Sequence, residues 1–315
     1  MTKPTKDKRT SRRVFLKTAA AGAAATATVA APAAIAQTGP ISMRWQSTWP
    51  SKDIFHEYAL DYAKKVNDMT GGELKIEVLP AGAVVPAFGL LDAVSKGVLD
   101  GGHGVLVYHY GKQTALALWG SGPGFAMDAN MLLAWHRYGG GKELLEKLYA
   151  SIGANVVSFP YGPMPTQPFG WFKKPIAKAE DIKGLKFRTV GISIDVYTAQ
   201  GAAVNALPGG EIVSAMDRGL LDAAEFNNAS SDRLLGFPDV SKVCMLQSYH
   251  QNAEQLEIYD EVAKKKAAEN PLFKEIIQSQ IAFAKRATQW EQDTVVGRRM
   301  AYDHYFGANA AAKKL

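Results

Sequence analysis

The chain has 315 residues, 47% hydrophobic and 21% charged, with 29 Gly and 15 Pro; this is the composition of an ordinary folded protein with room for about two domains. Its one cysteine, Cys244, excludes an intramolecular disulfide framework and cysteine-rich zinc modules. The formal charge of +6 is not a nucleic-acid footprint, because residues 1–36 hold seven basic residues against Asp7 alone and the remainder balances 29 basic with 29 acidic side chains.

The basic head is followed by small apolar residues from Ala19 to Ala36 and by Ala34-Ile35-Ala36, an A-x-A cleavage pattern before Gln37. Within it, Ser11-Arg12-Arg13-Val14-Phe15-Leu16-Lys17 resembles the twin-arginine export signal. Residues 1–36 are therefore expected to be a twin-arginine signal peptide, absent from a mature chain that resides in the periplasm.

Met43 and Trp45 alternate with Arg44 and Gln46, which predicts a half-buried strand. From Asp53 as cap, Phe55, Tyr58, Tyr62, Val66 and Met69 recur at helical spacing until Gly71-Gly72. Leu74, Ile76 and Val78 then alternate with polar residues up to Pro80. Strand, helix, strand in this order predicts a βαβ unit and a parallel sheet covered by helices.

An internal repeat follows. Ala93 to Gly102 aligns with Ala215 to Ala224 at a constant offset of 122, sharing Ala, a basic residue, Gly, Leu and Asp. Each copy reads as a helix ending in a cation, a left-handed Gly and a short buried strand. The reading is two related α/β halves, although a generic helix-to-strand joint has the same pattern.

An apolar strand is expected at 154–159, then a boundary at Pro160, Gly162, Pro163, Pro165 and Pro168. Beyond it come extended segments at 170–173 and 183–188, helices at 193–200 and 210–218, and a second crossing near 240–246. The expected organisation is a first lobe at 37–158, a second at 159–243, a return to the first at 244–258 and a helical segment at 259–315. Each lobe is expected to hold a mostly parallel sheet, with a cleft between them. At the carboxyl end, Phe273, Ile276, Ile277, Ile281, Ala284, Ala287 and Trp290, then Tyr302, Tyr305 and Phe306 beyond a break near Gly297, form a stripe suited to packing on the lobes or a partner.

Several chemistries are absent. Gly139-Gly140-Gly141-Lys142 is followed by Glu143 where a phosphate loop needs Ser or Thr, and there is no G-x-S-x-G, H-E-x-x-H or dinucleotide fingerprint. The six histidines show no two-ligand helical spacing, and Cys244 lies in an apolar run.

The residues that stand out are polar ones at strand ends, where open α/β sheets bind ligands. Glu225 ends the strand of the second repeat copy; His103 takes the same place in the first, with Tyr108-His109-Tyr110 following. Arg188 closes another strand, where a guanidinium can clamp a carboxylate through two hydrogen bonds. Arg188 could equally pair with Asp195 or Asp222, and Glu225 could be a solvated strand-end charge.

The blocks Gly71-Gly72-Glu73-Leu74, Gly97 to Asp100, Asp181 to Arg188 and Glu211 to Ala223 together resemble the periplasmic solute-binding subunits of TRAP transporters over most of the mature chain. Glu225-Phe226-Asn227-Asn228 and Tyr249-His250-Gln251 are similar to the subgroup that binds 2-oxo or 2-hydroxy acids with a metal ion, often described under mannitol or chloroaromatic transport. The resemblance implies that Arg188 holds the substrate carboxylate, with Gln167, Tyr108 and Asn205 as further substrate contacts. It implies a metal between Glu225, Phe226 and Gln251. These oxygen donors suit Na⁺ or Ca²⁺ and not zinc or copper.

One departure from the family pattern is the direct join of Ile258 to Tyr259, where relatives place a further helical segment after a strand at Glu254 to Ile258. It bears on the homodimer that the resemblance allows. The expected function is a non-enzymatic receptor that delivers a small organic acid to a TRAP membrane permease. The alternative is an exported metal-assisted enzyme acting on a keto or hydroxy acid, with Glu225 and His250 as acid or base.

Overall fold

The computed structural model describes residues 39–120, 124–162, 164, 167–248, 253–294 and 306. The signal-peptide expectation, Tyr249, His250, Gln251, Tyr302 and Tyr305 lie outside these residues, as does the expected break near Gly297. From Ser42 onward the chain forms one compact unit containing a three-stranded and a five-stranded sheet.

The first sheet holds β1 (Ile41–Ser47), β2 (Leu74–Leu79) and β3 (Gly101–His103) in the order β2-β1-β3, with β1 and β3 parallel. Helix α1 (Ile54–Met69) joins the first two strands, capped by Asp53, whose carboxylate accepts from Phe55 N at 2.8 Å. Its buried face carries Phe55, His56, Ala59 and Ala63, whereas Tyr58, Tyr62 and Met69, expected in the stripe, are exposed. Alanines let the helix lie close on Ile76 and Val78, a packing that tyrosines at 59 and 63 would prevent.

Both repeat copies fold as expected and match bond for bond. After α2 (Leu90–Ser95), Gly97 turns at φ +70°, and Val98 N and Leu99 N both reach back to Ala93 O. In the second half, Gly219 turns at φ +74°, and Leu220 N and Leu221 N both reach back to Ala215 O. The shared Asp then clamps the neighbouring strand. Asp100 N donates to Arg44 O and Asp100 Oδ2 accepts from Arg44 N; Asp222 N donates to Lys186 O and Asp222 Oδ2 accepts from Lys186 N.

Helices α3 (Ala129–Tyr138) and α4 (Gly141–Ser151) meet at Gly139–Gly140, so the glycine run is a helix joint. The expected strand at 154–159 is extended but joins no ladder, with Val157 and Phe159 exposed.

The second sheet comprises β4 (Pro168–Phe172), β5 (Lys186–Arg188), β6 (Ala203–Asn205), β7 (Ala223–Ala224) and β8 (Val243–Ser248), ordered β6-β5-β7-β4-β8. Helices α5 (Ser193–Ala199) and α6 (Gly209–Asp217) provide its crossovers. Strand β5 pairs parallel with β6 and β7, and β4 is antiparallel to both β7 and β8, so four of the five strands run in one direction and only β4 departs from the mostly parallel sheet that was expected. Residues 243–248, near the expected return to the first lobe at 244, pair with β4 inside the second sheet.

Helices α7 (Ala229–Leu235) and α8 (Phe237–Val240) link β7 to β8. Beyond them α9 (Ala253–Glu269) runs helically through Ile258–Tyr259, where the relatives' strand was expected at 254–258. Asn270 caps α10 (Pro271–Thr294), its Oδ1 accepting from Leu272 N and Phe273 N. Phe273, Ile276, Ile277 and Ala284 are fully buried in one core with Trp135, Leu148, Ile192 and Val196, as the stripe predicted.

Candidate functional site

Arg188 ends β5 and Glu225 follows β7, its parallel neighbour, so the sheet register sets the two side by side. The guanidinium is fully buried and held on two edges. Nε donates to Leu207 O at 2.8 Å, and Nη1 donates to Glu225 O at 2.8 Å and to Glu225 Oε1 at 3.0 Å. Phe226 lies beneath it, 5.6 Å from the ring centre to Cζ. The third nitrogen, Nη2, is buried and meets no partner in full hydrogen-bonding geometry, although the guanidinium interacts with the Tyr108 phenol.

A buried guanidinium retains its charge, and removing its counter-ion would strand that charge at a cost of about 3–5 kcal/mol. Glu225 is 3% exposed; burial raises its carboxyl above the usual range, opposed by Arg188 and by hydrogen bonds from Thr189, Gln167 and Val190 N. Asp195 and Asp222 do not pair with Arg188: Asp195 takes Lys266 and Tyr110, and Asp222 takes the Lys186 backbone.

Beside this pair is a small cavity of about 40 Å³, lined in part by Trp49, Tyr108, Gln167, Val190, Glu225 and Phe226. Gln167, one residue before β4, donates its amide N–H to Glu225 Oε2. Tyr108 stands in a 3₁₀ turn at Leu106–His109; burial pushes its phenol up to about 12, with the Arg188 charge opposing. Phe226 has its room because Gly209 opens α6 opposite it: a Cβ there would come within 2.4 Å of the ring.

Of the expected site residues, Arg188, Gln167, Tyr108, Glu225 and Phe226 come together. Asn205 pairs in register with Arg188 at the end of β6, but it is exposed and does not line the cavity. Gln251 lies outside the described residues. His103, the counterpart of Glu225, packs edge-on to Tyr161 at 4.7 Å, and burial lowers it to about 4.

The repeat also shows why the site is one-sided. Asp100 clamps Arg44 as Asp222 clamps Lys186, so Gln46 is the counterpart of Arg188. Gln46 is fully buried but neutral, and it spends its amide on Val84 N, Val85 N and Val85 O. The sequence reading missed Trp49, which also lines the cavity. Its signal was a position just past the carboxyl end of β1, where such sheets bind ligands.

Among the described residues no group of three His, Cys, Asp or Glu could hold a metal. What the cavity's side chains offer is oxygen: the Glu225 carboxylate and the Gln167 amide. That set fits a hard cation sharing its shell with a bound anion and does not fit zinc or copper. A larger open depression of roughly 480 Å³ runs past Arg44, Lys75, Glu77 and Asp100, all exposed. It is a solvated edge of the first sheet and converges on no buried charge.

No helix among the described residues is long and apolar enough to cross a membrane. The chain is 41% identical over 230 residues to a monocarboxylate 2-oxoacid-binding periplasmic protein of Nostoc, a match covering 71% of this chain and 62% of that protein's length. The fold is shared with a TRAP transporter solute-binding protein from Bordetella bronchiseptica, a mixed-occupancy dimer with copurified calcium and picolinate (TM-score 0.72, 25% identity, 87% of this chain and 99% of that one). It is equally shared with a TRAP periplasmic solute-binding protein from Colwellia psychrerythraea carrying calcium and pyruvate (TM-score 0.73, 25% identity, 81% and 97% covered). The bacterial extracellular solute-binding protein family 7 matches residues 46–287. The chain belongs to that family of extracellular solute-binding proteins.

Proposed function

We propose that this chain is the periplasmic receptor of a TRAP transporter, capturing a 2-oxo or 2-hydroxy monocarboxylate together with Na⁺ or Ca²⁺ and delivering it unchanged to the membrane permease. The observation that carries the reading is the Arg188 guanidinium, wholly buried with one nitrogen unpartnered beside a small, largely apolar cavity. A hydrated carboxylate leaves water only for a compensating charge, and Arg188 supplies one through a short, charge-assisted hydrogen bond. Its charge is already balanced by Glu225, so a second positive charge is needed to keep the filled site neutral.

The cation would supply that charge and be held by Glu225, the Phe226 carbonyl and Gln251, with Gln167 able to present either end of its amide to the same point. The chain's own residues do the rest. Phe226 and Tyr108 wall off solvent, and Leu207 O and Glu225 keep the guanidinium from turning. Among the described cavity residues no second cation stands ready for a second carboxylate, which favours monocarboxylates.

Trp49 belongs to the first half and Phe226 to the second, so a ligand between them favours the halves being closed, the state a permease could read. Export through the twin-arginine route is part of the same reading. Native mass spectrometry of the purified protein tests it: an ion of intact ligand mass with bound cation is expected, and consumption of an added 2-oxo acid would overturn it. The same spectrum weighs the homodimer.

A further inference from the structure

We infer that Trp49 is a specificity residue, its indole N–H donating to the 2-oxygen of the bound acid while Arg188 takes the carboxylate; this rests on the receptor reading above. Trp49 is 3% exposed, and its Nε1 is buried without a partner. A buried indole N–H normally has a partner, and leaving one unmet is destabilising. Its ring lines the same cavity as Glu225 and Gln167.

Other described side chains also keep unpartnered buried atoms, Trp45 and His56 among them, but these do not line the cavity. Among the described cavity-lining residues, Trp49 alone keeps an unmet buried donor, and like Arg188 it lies against the Phe226 ring. The Phe226 ring lies 5.6 Å from the Arg188 carbon and 6.0 Å from the Trp49 ring, edge-on at 74°. Tyr108 closes the third side, 6.1 Å from Trp49.

The two donors differ in kind. Arg188 is charged and suits the carboxylate. The indole is neutral, donates one hydrogen bond and accepts none, and so suits an uncharged carbonyl or hydroxyl oxygen on the next carbon. Selectivity for 2-oxygenated acids over plain ones then arises at Trp49, because a site built to hydrogen-bond a substrate oxygen rejects the analogue lacking it.

The test is calorimetric titration of the full protein with pyruvate and with propanoate, calcium present, for wild type and Trp49→Phe. The expected result is about a tenfold loss for pyruvate, near 1.4 kcal/mol, with propanoate changed less than about twofold. Equal losses for both acids, or no loss for pyruvate, would overturn the inference and leave the receptor reading standing. Wild type binding neither pyruvate nor any other 2-oxo or 2-hydroxy acid would overturn both. Should Trp49→Phe fail to fold, indole-labelled wild type gives the same answer by NMR: one of the six tryptophan N–H signals is expected to move downfield with pyruvate and not with propanoate, and six unmoved signals contradict the inference.

Discussion

The Ser231 hydroxyl donates to Asp53 Oδ2 at 2.8 Å, joining residues 178 positions apart. Both are fully buried, one in α7, which follows β7 of the second sheet, and the other capping α1, which follows β1 of the first. Asp53 accepts from Phe55 N as well, while burial pulls its carboxyl pKa upward. Ser231→Ala leaves a buried acceptor unmet, a cost of about 1–3 kcal/mol. A lower urea midpoint is expected, and an unchanged midpoint would show that this bond between the halves contributes nothing.

Arg188→Ala is expected to weaken carboxylate binding by about 2–5 kcal/mol, since the anion's desolvation goes uncompensated. The variant also strands Glu225, so stability falls with affinity; calorimetry must be read beside a thermal melt. Unchanged affinity in a folded variant would remove Arg188 from the site.

Glu225→Gln keeps the side chain's shape, removes the only carboxylate among the described cavity residues and leaves the Arg188 charge without its partner, so a thermal melt must accompany it. Carboxylate affinity in the variant is expected to lose its dependence on added calcium or sodium. Titration across a range of cation concentrations measures this, and a persisting slope would place the cation elsewhere.

Asp232 is fully buried, accepting from Trp171 Nε1 at 2.9 Å and Asn227 N at 3.1 Å, and burial pushes its carboxyl up to about 7. The folded protein therefore holds this proton more tightly than the unfolded chain, whose value is near 3.8. Its stabilising contribution is complete below the unfolded value and is lost as pH rises through about 7. His103 and His109, buried and lowered to about 4, act the other way as pH falls below 6.5. Asp232→Asn is expected to flatten the fall in urea midpoint between pH 5 and pH 8; an unaltered slope would assign it to other groups.

Gly97 has open space around it and Gly219 only the end of the Lys173 side chain at 4.0 Å, so alanine at either position meets chiefly the strain of a positive φ. Each substitution should cost about 1–2 kcal/mol, and by similar amounts because the two joints are the same structure. A large disparity in their unfolding free energies would deny that equivalence.

Much of this was legible because short-range signals agreed with the packing. Asp53 announced α1, Gly97 and Gly219 announced the repeat, and Arg188 and Glu225 stood at strand ends where parallel pairing sets them side by side. Strand partners were not legible. Nothing local in Val243 to Ser248 says that it pairs antiparallel with Pro168 to Phe172, and the apolar run at 154–159 resembles a strand whether or not a ladder receives it. The buried face of α1 was misread because volume decided it: Ala59 and Ala63 fit against the sheet where Tyr58 and Tyr62 do not. Trp49 was overlooked because an aromatic residue beside Pro50 looks like ordinary core until its unmet N–H is seen.

A crystal structure of the protein grown with pyruvate and calcium tests the central claim most directly. The account predicts a carboxylate oxygen about 3 Å from Arg188 Nη2, with the acid in the cavity that Trp49 and Phe226 line. Pyruvate bound elsewhere, with Nη2 still unpartnered, would contradict it.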